Sequence, residues 1–258
     1  MSPWWTSIEL GEEQAALWRA GSVDLWIRRD AHEWRIAVDR SAAREDEEVQ
    51  VLHPADRWPE EGAGIEVVRF GSDRTSPALR VVPVLAPRPV VCRPEQPFRL
   101  LPQTEVTAFV GCPLWLRVIA EGGALEFEVD LHRPSGTWFG PDTQSGELCF
   151  ANRTRLHLRR ERLKHSPLRA TTRLLLHNRT DQVLTLSQFK LPAPSLDLLV
   201  DSDGSFWSQA IEVGFERGGS AEIEVLPSRD PRRVQVLSPA RLPRGHGRLI
   251  SALSHVLG

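Results

Sequence analysis

Apolar and polar residues alternate with period two along most of the chain, which is the pattern of half-buried β-strands rather than of helices. Leu17-Trp18-Arg19, Val23 to Arg28 and Trp34 to Val38 read as three short strands, with turns at Ala20-Gly21 and Asp30-Ala31-His32. Val49 to Leu52, Ile65 to Phe70 and Leu79 to Leu85 continue the series. Glu105 to Val110, Leu114 to Ile119 and Leu125 to Leu131 alternate in the same way. Glu147 to Arg159 predicts one long strand with Leu148, Phe150, Thr154, Leu156 and Leu158 on one parity. Residues 172–177 and 183–189 predict a hairpin across the turn-rich tetrad Asn178-Arg179-Thr180-Asp181. Leu196 to Val200, Phe206 to Phe215 and Ala221 to Leu226 complete the strands.

Only two segments have helical character. Glu12 to Trp18 is short, and Gly247 to Leu257 places Leu249, Ile250, Leu253, Val256 and Leu257 near helical spacing. Pro83, Pro87, Pro89, Pro94 and Pro97 crowd one connector. Proline cannot donate to a central ladder, so this connector predicts an edge strand or a linker, and a domain boundary is placed there. The expected fold is therefore mainly β: an antiparallel β-sandwich over residues 91–258, a smaller N-terminal β-sheet region over 1–90, and a short C-terminal helix.

Composition adjusts this picture at the margins. A net charge of −2 over 258 residues excludes bulk attraction to polyanions. All but Lys164 and Lys190 of the 32 basic residues are Arg, and Trp occurs nine times where Tyr is absent. This bias reads first as codon usage in a GC-rich genome, and selection for Arg recognition has to be argued locally. Cys92, Cys112 and Cys149 form no C-x-x-C pair, and so sparse a set suits a reducing compartment. Met1-Ser2-Pro3-Trp4-Trp5 lacks the features of a secretory signal, and no apolar run approaches the roughly 20 residues of a membrane span. The expected location is the cytoplasm, with no membrane span.

The order of several segments resembles a known family. The run Leu79 to Leu100 is followed by Pro113-Leu114-Trp115-Leu116, then by Gly136-Thr137-Trp138-Phe139-Gly140 and Gly146-Glu147-Leu148-Cys149-Phe150-Ala151. Leu191-Pro192 and Phe206-Trp207-Ser208 come after. Together these resemble, over nearly the whole chain, an uncharacterised prokaryotic family, the domain of unknown function four-three-two. The resemblance implies a mainly β protein and brings with it no catalytic residues and no cofactor.

Candidate chemistry concentrates in residues 136–150. Trp138 and Phe139 supply flat apolar surface in what reads as a loop between glycines, with Asp142 and Glu147 as polar neighbours. Two readings stay open: a platform for a ligand or partner, and a loop folded back so that Trp138 plugs the core. A second candidate is a basic strand face of Arg153, Arg155, His157 and Arg159. Residues 151–179 carry nine Arg or Lys against one Glu. The competing explanation is a solvated face balanced by the acidic stretch Glu45–Glu66. No aromatic shares that parity, which disfavours nucleic acid as a partner.

No metal or cofactor pattern stands out among the scattered histidines, and Asp201-x-Asp203-Gly204 lacks the terminal Glu of a calcium loop. Phosphate-binding and nucleophile-elbow motifs are missing. Cys92 beside Arg93, or Cys112, is a minor candidate for a reactive thiol. The resulting expectation is a non-enzymatic binding or protein-interaction module. It takes an unknown protein or small ligand through Trp138, Phe139, Asp142, Glu147, Arg153 and Arg155. It has no catalytic residues, no metal and no cofactor. The alternative is a carbohydrate- or small-ligand-active enzyme with carboxylates beside Trp138.

Overall fold

The N-terminal strands are organised by a two-residue turn that only glycine accommodates well. Ala20 and Val23 face each other across Gly21-Ser22, and Gly21 takes φ +57°. A Cβ there would lie 2.7 Å from Cδ1 of Leu168, whose side chain is buried. Gly21→Ala is therefore expected to lower stability by about 2 kcal/mol, from left-handed backbone strain plus a displaced core leucine. Urea unfolding measures this, and a loss under about 0.5 kcal/mol would show that Leu168 yields freely.

The computed structural model describes residues 3–41, 48–60, 62, 64–123, 125–140, 146–163, 166–216, 221–227 and 234–243. In chain order its strands begin with β1 (Ser7–Glu9), β2 (Ala15–Ala20), β3 (Val23–Arg29), β4 (Glu33–Asp39), β5 (Val49–Leu52), β6 (Ile65–Gly71) and β7 (Ala78–Leu85). Next come β8 (Val90–Pro94), β9 (Phe98–Leu100), β10 (Thr104–Ala120), β11 (Glu126–Asp130), β12 (Gly136–Phe139), β13 (Glu147–Thr154) and β14 (Arg169–Asn178). The last are β15 (Leu184–Leu186), β16 (Phe189–Leu191), β17 (Leu198–Val200), β18 (Phe206–Ser208), β19 (Ile211–Phe215), β20 (Ala221–Val225) and β21 (Gln235–Ser238).

The chain forms two compact units, each discontinuous in sequence. The first comprises Met1–Val84, Leu114–His132 and Ser166–Leu168. One of its sheets has the order β5-β2-β3-β4-β6, every pair antiparallel. Another runs β1-β7-β10, with β11 paired antiparallel to residues Trp115–Ile119 of β10. Trp18, Leu25, Ile27, Trp34 and Ile36 are almost wholly buried. Arg40 makes a two-pronged ion pair with Asp130, at 2.9 and 3.1 Å, tying the end of β4 to the end of β11.

The second unit comprises Leu85–Pro113, Arg133–His165 and Arg169–Gly258. Its central strand β14 pairs antiparallel with Thr104–Pro113 of β10 and parallel with β18 and β19. A four-stranded sheet, β12-β13-β8-β16, and a two-stranded one, β15-β9, complete it.

The expected antiparallel sandwich is corrected by this pairing. The protein is mainly β, built of a ten-stranded sheet and three smaller ones among the described residues, and the β8–β13, β14–β18 and β14–β19 pairs are parallel. Alternation reports which residues of a strand are half-buried but carries no information on the direction of its neighbour. The only helical turns among the described residues are three short 3-10 turns, at Glu121–Gly123, Arg160–Arg162 and Ala193–Ser195. The expected C-terminal helix at 247–257 lies outside the described residues. The other helical candidate, Glu12 to Trp18, runs instead into β2, whose residues are almost all buried and which lies between β3 and β5.

Three local expectations are also revised. The proline-rich connector contains β8, which is central rather than edge, lying between β13 and β16. Its prolines bracket the strand, so Val90 to Arg93 keep the N–H groups a central strand needs. Residues 172–177 and 183–189 form no hairpin, since β15 pairs with β9 instead. The long strand predicted to Arg159 stops at Thr154, the last residue of β13 in register with β8.

Candidate functional site

The segment from Gly136 to Glu147, read from sequence as a loop, contributes two strands of a hairpin. Register pairs Gly136 with Phe150, Thr137 with Cys149, Trp138 with Leu148 and Phe139 with Glu147. Ala151 N–H donates to Ser135 O at 2.8 Å. That bond makes Gly136–Phe150 and Trp138–Leu148 the pairs that exchange no mutual hydrogen bonds. In such pairs the side chains approach most closely, while the N–H and C=O groups point away from the partner strand. Trp138 and Leu148 are therefore neighbours on one face, and they are 50% and 39% exposed. Phe139 points to the other face, where it is buried with Val91 and Cys149.

Trp138 and Phe139 thus do not form one platform, because successive strand residues face opposite ways. Glu147 shares the face of Phe139, opposite to that of Trp138. Its carboxylate accepts a hydrogen bond from Lys190 Nζ at 2.6 Å. The Lys190 side chain is 7% exposed, and its ammonium lies 5.7 Å from the centre of the Phe139 ring. Sequence reasoning had not singled out Lys190. A lysine between Phe189 and Leu191, in a chain with only one other lysine, was the available signal. Asp142 lies outside the described residues.

Arg153 and Arg155 are both exposed but do not form a stripe. Arg153 stands in register with Arg93 on the Phe139 face. Arg155 lies beyond the end of β13 and pairs with Glu95 at 2.9 Å. His157 makes an isolated antiparallel bridge to Phe109, and Arg159 precedes the 3-10 turn at Arg160–Arg162. Two further arginines, neither of them read from the sequence as part of this region, do reach the hairpin. Arg93 donates to Thr137 Oγ1 at 3.1 Å, and the Arg88 guanidinium lies 5.6 Å from the centre of the Phe150 ring.

The thiols are placed where they cannot react readily. Burial pushes Cys92 up to about 12, and Cys149 is pushed up to about 11 by burial and by Glu147 nearby. Burial likewise raises Cys112. Arg93 projects from the face opposite Cys92 and leaves its thiol unactivated. Folded thiols then stay protonated while those of the unfolded chain ionise above about pH 9. Stability is expected to fall as pH rises through 9 toward 11, and thiol reagents at pH 8 are expected to label the protein only after denaturant is added. Rapid labelling of the native protein would overturn this placement.

The Asp201 carboxylate, which sequence placed in a partial calcium pattern, is occupied internally. Its Oδ1 accepts from the N–H groups of Asp203 and Ser205, and its Oδ2 accepts from Trp207 Nε1. Among the described residues, no group of three or more His, Cys, Asp or Glu is arranged to hold a metal ion. No helix of the described residues is long and apolar enough to cross a membrane.

A sequence model described as "Protein of unknown function (DUF432)" matches residues 4–250. The chain belongs to the DUF432 family. The resemblance carried by Gly136 to Gly140, Gly146 to Ala151 and Phe206 to Ser208 thus holds. No curated protein and no solved structure matches this DUF432 chain.

Proposed function

We propose that this DUF432 protein is a non-enzymatic binding module whose contact surface is the β12–β13 hairpin, and that its partner is a protein. The observation that carries the reading is the exposed cross-strand pair Trp138 and Leu148. An indole held half in solvent beside a leucine supplies the rigid apolar anchor that binding surfaces use. The buried Phe139 and the Lys190–Glu147 pair on the opposite face support the hairpin from below. Arg153, on the opposite face beside Arg93, is proposed as a flanking group together with Arg155 and Asp142.

Affinity capture from host lysate, with wild type beside Trp138→Ala and Leu52→Ala, tests the reading. Leu52 is as exposed as Leu148 but lies on β5, in the other unit. The expected result is a protein retained by wild type and Leu52→Ala and lost by Trp138→Ala. Equal retention by all three would overturn the proposal.

A further inference from the structure

Among the described residues, the hairpin's outer strand has an unused edge. Among the described residues β12 pairs with β13 alone, at one side of its four-stranded sheet. The β12–β13 register directs the N–H and C=O groups of Gly136 and Trp138 away from β13, toward that side. Unused strand edges accept extended segments, and natural proteins usually blunt them with charge, proline or a covering element. β12 has none of the first two within Gly136–Phe139, and its exposed side chain is an indole.

Side chains on the two faces of β12 describe the segment that would fit. On one face Trp138, Leu148 and the Phe150 ring form an apolar strip, with the Arg88 guanidinium over Phe150. On the other, Arg93 extends from β8 past β13 to hydrogen-bond Thr137 on β12 itself, which puts a positive charge one strand from the edge. Arg153 stands beside Arg93, and the nearby Glu147 is neutralised by Lys190. The surroundings of this edge are thus apolar on one face and positive on the other. Because residues of an added strand also alternate between faces, the complementary segment alternates apolar and acidic residues.

We propose that an extended, alternating apolar–acidic segment of a partner protein adds to β12 as a fifth strand. Its apolar side chains lie against Trp138 and Leu148, and an acidic one meets the Arg93 guanidinium at Thr137. This rests on the hairpin being the binding surface and states which partner chemistry that surface takes.

Fluorescence anisotropy with short labelled peptides of alternating Val and Glu, Val and Gln, or Val and Lys tests the inference on the full chain. The Val–Glu peptide is expected to bind at least about tenfold more tightly than the Val–Lys peptide, with Val–Gln between them. Methylating every amide nitrogen of the Val–Glu peptide is expected to abolish binding, since strand addition needs those donors. Arg93→Gln is expected to weaken the Val–Glu peptide about tenfold and the Val–Gln peptide little, while Arg93→Lys retains most of the affinity. Equal binding of all three peptides, or retention by the methylated one, would overturn strand addition. So would concentration-dependent dimers of the free protein that disappear in Trp138→Ala, because the edge would then be filled by a second copy. Failure of the peptides with Trp138-dependent capture intact would sink this inference alone; Trp138-independent capture would sink the hairpin reading with it.

Discussion

Asn178→Ala is expected to lower the unfolding free energy by about 3 kcal/mol, among the largest losses from a single polar side chain in this protein. Asn178 ends β14 and is 2% exposed. Its Nδ2 faces the carbonyl oxygens of Leu100, Leu101 and Gln182 at 3.2, 2.8 and 2.8 Å. Its Oδ1 accepts from the backbone N–H and the hydroxyl of Thr180. One amide therefore satisfies the end of β9, the start of the next connection and the turn after β14. Alanine removes all of these bonds: the carbonyls of Leu101 and Gln182 keep the hydroxyls of Thr104 and Thr180, but the Thr180 N–H loses its partner, and an orphaned buried donor costs about 1–3 kcal/mol. Asn178→Asp keeps the acceptor and loses both donors, so it is expected to be almost as damaging. Urea unfolding of both variants checks this. A loss below about 1 kcal/mol for alanine would show that water takes over the amide's bonds.

Trp138→Ala is expected to do the reverse, removing partner binding while leaving the fold nearly intact. Half of the residue is exposed, and the residue opposite it in register is Leu148. Such a pair stabilises a sheet by about 0.2–1 kcal/mol, so the thermal midpoint should move by only a few degrees. A central aromatic anchor is worth at least about 2 kcal/mol of affinity, roughly a thirtyfold weakening. Titration of the captured partner, with melting curves of both proteins, measures the two effects separately. A large drop in melting with unchanged affinity would make Trp138 a structural residue. Phe139→Ala offers the contrast, because its ring is buried with Val91 and Cys149 and its loss should appear in stability first.

Sequence reasoning singled out this region but misread its form. Glycines around Trp138 and Phe139 suggested a loop, whereas pairing with β13 makes the residues a strand and sends the two rings to opposite faces. Parity within a strand was visible, but the sequence offered no sign that Gly136–Phe139 was a strand at all. The predicted row of Arg153, Arg155, His157 and Arg159 failed for a related reason. It required a strand that continued past Thr154, and β13 ends there. The turn tetrad at Asn178 was recognised as a turn, but its side chain binds the end of a strand 78 residues earlier rather than closing a hairpin.

The amino-acid sequence by itself determined the mainly β character, the positions of strands such as β3, β4 and β11, the turn at Gly21 and membership of the DUF432 family. These depend on period-two alternation, on backbone conformations that glycine favours and on the order of characteristic segments, all of which are read directly along the chain. Only the tertiary structure decided that β8 is central and parallel to β13, that Lys190 meets Glu147 across 43 residues and that Trp138 stands beside Leu148 in solvent. Strand direction, neighbour and face are set by hydrogen bonds and packing between segments far apart in sequence, and alternation within one strand is the same whichever partner it finds.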